Sequence, residues 1–437
     1  MDPYKIYELY IQKEPRICID TRSKEIKNSV FFAIKGAQFD GNDFAEDAIK
    51  KGAKIAIVDN KKKISKYFIH VGNVLETLQT IAKIHRQKYN IPVIGITGSN
   101  GKTTTKNILT TILSSTYKTI STQGNFNNHI GVPLSVLSLR EQHEIAVIEM
   151  GANHIGEIQE LCEIAKPTHG IITSIGDAHI GEFGSRQNII KAKNELFKYL
   201  KKTNGWIIYN ANDPILKRLI NNYKKSIPYQ IPVLRKQKKN HILKECEYQC
   251  NPFIEINYPN LNYIKTQILG KYNINNIISA ITIADLLQTS KEAIQKSLKN
   301  INLKNNRSEF IEKDRNTIIL DAYNANPTSM SSGIINFIEI YQYLKHKNSW
   351  FILGDMLELG NNTIEYHQEI IEILKKHNIQ NCILVGKVFN KTIADNYQKV
   401  NSIKECIELV SKLEINNASI FIKGSRSLKL EQIVSYL

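Results

Sequence analysis

The stretch Gly95-Ile-Thr-Gly-Ser-Asn-Gly-Lys-Thr-Thr-Thr-Lys-Asn107 follows an apolar run at 93–96 and opens a helical pattern. It departs from the common phosphate-loop spacing G-x-x-x-x-G-K-[ST], because the position five before Gly101 is Ile96. What remains is the shorter Gly98-x-x-Gly101-Lys102-Thr103. A strand, a tight glycine turn and a helix start aim backbone N–H groups and the positive helix end at an anion. Lys102 is placed to reach terminal phosphates, and the Thr103 hydroxyl to meet a magnesium ion. The bland alternative is an ordinary strand-to-helix turn with a chance lysine; the threonine and the context weigh against it. Ile108, Leu109, Ile112 and Leu113 share one face at helical periodicity, which predicts packing on a sheet.

Working outward, the apolar runs 145–148, 170–174 and 206–209 read as buried strands with room for a helix between them. That is the pattern of a doubly wound parallel sheet. Residues 1–88 alternate short apolar runs (17–19, 30–34, 55–58, 67–69) with turns and close on a helix over 74–88. The stretch 228–266 is strand-like without helices, suggesting an antiparallel addition, and 274–287 and 291–299 read as helices. From about 303, four further apolar strands (317–321, 350–354, 382–385, 419–422) alternate with helical stretches. The predicted fold class is α/β in three domains, 1–88, 89–302 and 303–437. A central P-loop parallel sheet carries helices on both faces, between a smaller α/β amino-terminal domain and a Rossmann-like carboxy-terminal one.

A chain of 437 residues is too long for one core, and 42% hydrophobic with 23% charged residues is ordinary for a globular protein. No apolar run approaches the roughly 18 residues of a membrane span, and the start MDPYKIYELYIQKEP lacks the apolar core of a leader peptide. A cytoplasmic protein is expected. The six cysteines are scattered; Cys246 and Cys250 form C-x-x-x-C with no second pair, so no zinc site is expected. The net charge of +17 raises nucleic-acid binding, but the lysine runs (61–63; 236, 238 and 239) are short and no recognition motif accompanies them. Attraction to acidic small molecules is the preferred reading, with no nucleic-acid partner.

A magnesium–ATP site needs further oxygen ligands, because magnesium prefers an octahedral oxygen shell. Glu149 follows the strand 145–148 and His179 the strand 170–174. Carboxyl ends of strands gather at one edge of an open α/β sheet, so both residues have a reason to face the loop. A solvated loop histidine is the alternative for His179.

Gly98-x-x-Gly-Lys-Thr103, Glu149-Met-Gly-Ala-Asn153, Ala178-His179-x-Gly-Glu-Phe-Gly-Ser185, Ala192-Lys193, Gly270-x-Tyr-Asn-x-x-Asn276 and Arg307 together resemble the Mur ligases of peptidoglycan synthesis. Asp321-Ala-Tyr-Asn-Ala-Asn-Pro327, Leu353-Gly-Asp-Met-Leu-Glu-Leu-Gly360 and Lys423-Gly-Ser-Arg426 are similar to the branch that adds D-alanyl-D-alanine. Thr21-Arg22 and Phe31-Phe-Ala-Ile-Lys-Gly-x-x-Phe-Asp-Gly41 match its amino-terminal domain, so the likeness runs from about 17 to 431. It implies an ATP-dependent amide ligase acting through an acyl phosphate. The amino-terminal domain would hold the UDP end of a UDP-N-acetylmuramoyl tripeptide, the central domain ATP, and the carboxy-terminal domain D-alanyl-D-alanine. By the same likeness, Gly98, Ser99, Asn100, Gly101, Lys102, Thr103 and Thr104 cradle ATP, Asn273 meets adenine, Arg307 the phosphates, and Asp321 lies near the nucleotide. Thr103 and Glu149 hold one magnesium, and His179 with Lys193, at the family's carbamylated-lysine position, serves a second. Lys102, His179, Lys193 and Arg307 carry the catalytic roles.

Thr21 and Arg22 fall to the UDP substrate, and Asn324, Asn326 and Asp355 to the dipeptide. Simpler structures accompany each assignment: a surface helical lysine for Lys193, an Asn/Pro turn for 321–327, and an Asp N-cap for 353–360. Two departures stand out: Thr21 where serine is frequent, and Tyr272 where many relatives carry histidine. A monomer is expected. Sister ligases adding one amino acid, folate-type polyglutamate ligases and a basic P-loop nucleic-acid ATPase stay open as alternatives.

Overall fold

Short apolar runs separated by turns build the amino-terminal sheet: β1 (Ile17–Cys18), β2 (Val30–Phe32), β3 (Ile55–Val58) and β4 (Phe68–His70), all parallel and in that order. The computed structural model describes residues 1–12, 16–234, 247–259, 261–303, 306–346, 348–394 and 396–437. The helix Val74–Arg86 starts where the Asn73 side chain accepts from Glu76 N, and buries Leu78 and Ile81.

The central sheet contains β5 (Val93–Thr97), β6 (Thr119–Ser121), β7 (Ile145–Glu149), β8 (His169–Ile172), β9 (Trp206–Asn210) and β10 (Ser226–Tyr229). They run parallel in the order β10-β9-β8-β5-β7-β6. After β5 the chain moves to one side for β6 and β7, then crosses to the other for β8, β9 and β10. The crevice at the carboxyl end of β5 is therefore the topological switch point where such sheets bind ligands. The helix Lys102–Leu113 is held there by Ile108, Leu109, Ile112 and Leu113, all 0% exposed. Each such side chain contributes about 1.5–3 kcal/mol on burial.

The stretch expected as an antiparallel addition divides. Its first strand, β10, completes the central parallel sheet. A separate four-stranded sheet follows: β11 (Val233–Leu234), β12 (Glu247–Cys250), β13 (Phe253–Tyr258) and β14 (Asn262–Leu269). There β11 pairs parallel with β12, and the β12–β13 and β13–β14 pairs are antiparallel. Cys246 and the lysines at 236, 238 and 239 lie outside the described residues.

In the carboxy-terminal sheet, β15 (Glu309–Lys313), β16 (Asn316–Asp321), β17 (Asn348–Gly354), β18 (Cys382–Val385), β19 (Gln398–Val400) and β20 (Ala418–Lys423) take the order β15-β16-β20-β17-β18-β19. Only β15 is antiparallel to its neighbour. Phe337 stacks on Phe421 and meets Phe351 edge-on, joining the Pro327–Ile340 helix to the sheet. Among the described residues no helix is long and apolar enough to cross a membrane.

Candidate active site

The turn after β5 depends on two glycines. Gly98 has φ +144°, and a Cβ there would stand 2.2 Å from Thr173 Oγ1; Gly101 has φ +85°, and its Cβ would stand 2.4 Å from Asn276 Oδ1. Both contacts exclude a side chain, so the backbone can approach a ligand closely. The segment after β8 pins the loop: Ser99 N donates to Ser174 O (2.9 Å), Asn100 N to Ser174 Oγ (2.9 Å) and Ser99 Oγ to Gly176 O (2.7 Å). Lys102 curls back over the turn, its Nζ donating to Gly98 O (2.7 Å) and Ser99 O (3.3 Å). Burial lowers its pKa, against the pull of the Glu149 charge.

Glu149 ends β7 and is 1% exposed. Its Oε1 accepts from Thr103 Oγ1 (3.0 Å) and Asn127 Nδ2 (2.8 Å). Its Oε2 is buried and receives no hydrogen bond among the described residues; the nearest cation, Lys106 Nζ, is 3.9 Å away and donates to Thr122 O. A free carboxylate oxygen beside a loop hydroxyl is the donor chemistry that magnesium takes.

His179 sits at φ +56° at the start of the short helix Ile180–Phe183 and faces the same cleft. Its Nδ1 lies 2.5 Å from Glu358 Oε2, a close contact without the alignment of a hydrogen bond. The His179 partner holds the Glu358 carboxyl below the usual range. Lys193 is buried in the Arg186–Lys202 helix, its Nζ donating to Ala152 O (3.2 Å) and standing 5.2 Å from the Phe183 ring centre. Desolvation, with Lys102 adding repulsion, pushes its pKa down to about 7.

The opposite wall is carboxy-terminal. Lys423 Nζ donates to Asp321 Oδ2 (2.6 Å) and Asn324 O (3.2 Å). Arg307 stacks 3.9 Å from the Tyr323 ring centre, with its buried Nε free of hydrogen bonds among the described residues. Asn326 caps the Pro327–Ile340 helix through Ser329 N and sends Nδ2 across to Asn100 Oδ1 at 2.8 Å. These walls enclose a cleft of about 620 Å³.

Of the sequence-predicted residues, Ser99, Asn100, Gly101, Lys102, Thr103, Thr104, Glu149, His179, Asn273, Arg307, Asp321, Asn324 and Asn326 line this cleft. Asn273 does so with its amide committed, donating to Leu269 O and accepting from Asn276 Nδ2. Gly98 and Lys193 are not among the lining residues; Lys193 stops at Ala152 O, whose residue does line the cleft. Thr21 and Arg22 stand apart after β1, where Arg22 is exposed and pairs with Asp20 (2.8 Å). Asp355 is held differently. Its two oxygens accept from Val388 N and Phe389 N, 2.9 Å each, and cap the turn Phe389–Lys391. Asp355 is not among the residues that line the cleft. The expected Asp N-cap of its own loop is not formed: the helix Thr363–Lys376 has Asn362 at its N-cap position, and Asp355 instead receives the amides of a distant turn. Asn127, Lys106, Tyr323 and Lys423 had no assigned role; the Asn-rich turn 125–128 after β6, beside a strand end, is the signal that could have found Asn127.

Three family models match the chain: "Mur ligase family, catalytic domain" over 17–96, "Mur ligase middle domain" over 96–284, and "Mur ligase, glutamate ligase domain" over 306–426. The UDP-N-acetylmuramoyl-tripeptide–D-alanyl-D-alanine ligase of Bacillus subtilis is 34% identical over 96% of this chain and 92% of its own length. This chain belongs to the Mur ligase family. Among solved structures, this Mur ligase is similar to MurF from Acinetobacter baumannii (TM-score 0.81, 28% identity, 96% of this chain and 92% of that one). It is also similar to MurF ligase from Thermotoga maritima in complex with ADP (TM-score 0.82, 25% identity, 97% and 96%).

Proposed function

We propose that this Mur ligase joins D-alanyl-D-alanine to a UDP-N-acetylmuramoyl tripeptide, converting ATP to ADP and phosphate. The observation that carries the reading is one cleft with the phosphate loop on one wall and the Asp321–Pro327 stretch on the other, bridged by Asn326 and Asn100. The full-length likeness to D-alanyl-D-alanine ligases and the ADP held by the Thermotoga relative support it.

A carboxylate repels an attacking amine and has no good leaving group; phosphorylation supplies one, and the amine then displaces phosphate. The chain's work is positioning and charge compensation. Loop amides 98–104 hold the phosphates, Lys102 swings off the loop carbonyls onto them, and Arg307, held flat by Tyr323, faces the charge that develops on the phosphoryl oxygens. Thr103 and Glu149 would hold a magnesium ion and His179 a second, which supply further charge compensation. The amine of Lys193, at about 7, is substantially neutral at neutral pH, the form that adds carbon dioxide to become a carbamate. Residues 1–88 take the UDP end, 89–302 ATP and 303–437 the dipeptide. The enzyme acts as a cytoplasmic monomer.

The test is phosphate release from ATP with the UDP-muramoyl tripeptide, adding D-alanyl-D-alanine or single amino acids in turn. Release that requires the dipeptide is expected. Release driven by a single amino acid, or by nucleic acid, overturns the reading.

A further inference from the structure

The segments 179–183 and 353–360 meet more closely than two loops of separate domains need to. Gly181 N donates to Glu358 O at 3.2 Å. A Cβ on Gly181 would stand 2.5 Å from Gly360 N, and one on Gly360 would stand 3.0 Å from Gly181 Cα. Backbone thus rests on backbone, which glycine alone permits at both positions. Both side chains that touch across this contact come from left-handed residues, His179 at φ +56° and Glu358 at φ +63°. That conformation is uncommon for residues with a Cβ and gathers at functional sites. It brings Glu358 Oε2 within 2.5 Å of His179 Nδ1.

The two residues divide differently with respect to the cleft: His179 lines it, Glu358 does not. The carboxylate therefore reaches the imidazole from behind. A histidine that binds a metal through one nitrogen is usually held by a carboxylate or carbonyl on the other, which fixes tautomer and ring orientation. The ring's last torsion is soft, so a small turn aligns the 2.5 Å contact into a hydrogen bond.

We infer that Glu358 is a positioning residue for His179: it takes Nδ1–H, presents Nε2 to the cleft, and does so only while Gly360 is seated on Gly181. The carboxy-terminal domain then completes the metal-binding face of the central domain, which couples domain seating to ion capture. The inference rests on the reading of His179 as a metal ligand.

The test uses the full chain with Glu358→Leu, Glu358→Gln, Gly360→Ala and His179→Gln. Nitrogen-15 spectra of the imidazoles, with His179 assigned by its loss in H179Q, report the tautomer without metal. Wild type is expected to show one Nδ1–H form, E358L a mixture, and E358Q, whose amide oxygen still accepts, to stay near wild type. Binding of Mn²⁺ in the presence of ADP, read by paramagnetic resonance, is expected to weaken about tenfold in E358L and G360A. Half-saturating Mg²⁺ for phosphate release rises in parallel. An E358L tautomer and Mn²⁺ affinity equal to wild type, with H179Q weakened, overturns the inference. An H179Q affinity equal to wild type instead overturns the metal reading beneath it.

Discussion

Glu149 and Asp355 occupy corresponding places at the carboxyl ends of strands that run parallel to their neighbours, the first as the last residue of β7 and the second just beyond β17. Both are nearly inaccessible, at 1% and 5%. Yet Glu149 keeps one oxygen unbonded among the described residues, beside the phosphate loop, whereas both Asp355 oxygens are taken by backbone amides. Burial at a strand end does not by itself make a carboxylate functional. An unspent lone pair facing a cleft is what a ligand can use, and the two carboxylates differ on that criterion.

The sharpest way to break this comparison is Glu149→Gln. Ligase activity should fall about 10²–10³-fold, with a smaller loss of stability than Asp355→Ala; phosphate release and chemical unfolding measured together decide. Gly101→Ala comes next. Its Cβ meets Asn276 Oδ1 at 2.4 Å and its φ is +85°. Strain of about 1–3 kcal/mol should displace the loop and weaken ADP binding roughly 10–100-fold by calorimetry.

Asp355→Ala leaves two buried amides unpaired and a hole against Gly386, whose built Cβ stands 2.2 Å from the carboxyl. Unfolding should cost about 2–4 kcal/mol less in the carboxy-terminal domain, with ADP affinity unchanged. Unaltered stability with lost dipeptide use would return Asp355 to the ligand site.

The smallest effect is acid sensitivity. His367 beside Asp355 accepts from Met356 N (3.0 Å) and pairs through Nδ1 with Thr363 O (2.6 Å), so it is neutral, and burial pushes its pKa down. Burial likewise pushes His85 and His169 down to about 4. The unfolded chain takes up these protons near pH 6.5 while the folded one refuses them. Their stability is fully present above that pH and is lost as pH falls toward about 4. Denaturant midpoints at pH 7.5, 6 and 5 should decline in that order; a flat series contradicts neutral buried rings.

The central domain was legible because its signals are local. Loop, lysine and threonine lie within 98–103, and the buried parallel strands announce themselves as apolar runs. The edge strands β6, β15 and β19 were not: β6 is half-buried throughout, β15 is half-buried with an exposed position, and β19 is three residues with one buried. With one face in solvent they carry no apolar run. The partners of Asp355 were not legible for a different reason. They stand 33 and 34 residues onward, and nothing nearby distinguishes a carboxylate that caps a remote turn from one that waits for a ligand.

Lys102 rests on Gly98 O and Ser99 O, so its ammonium group is held by two carbonyls of the loop it belongs to. Drawing the ammonium away from these carbonyls breaks two hydrogen bonds, so a new anionic partner has to replace them before the charge adds anything to binding. The net strength of such a contact is set as much by where the lysine rests as by where it reaches.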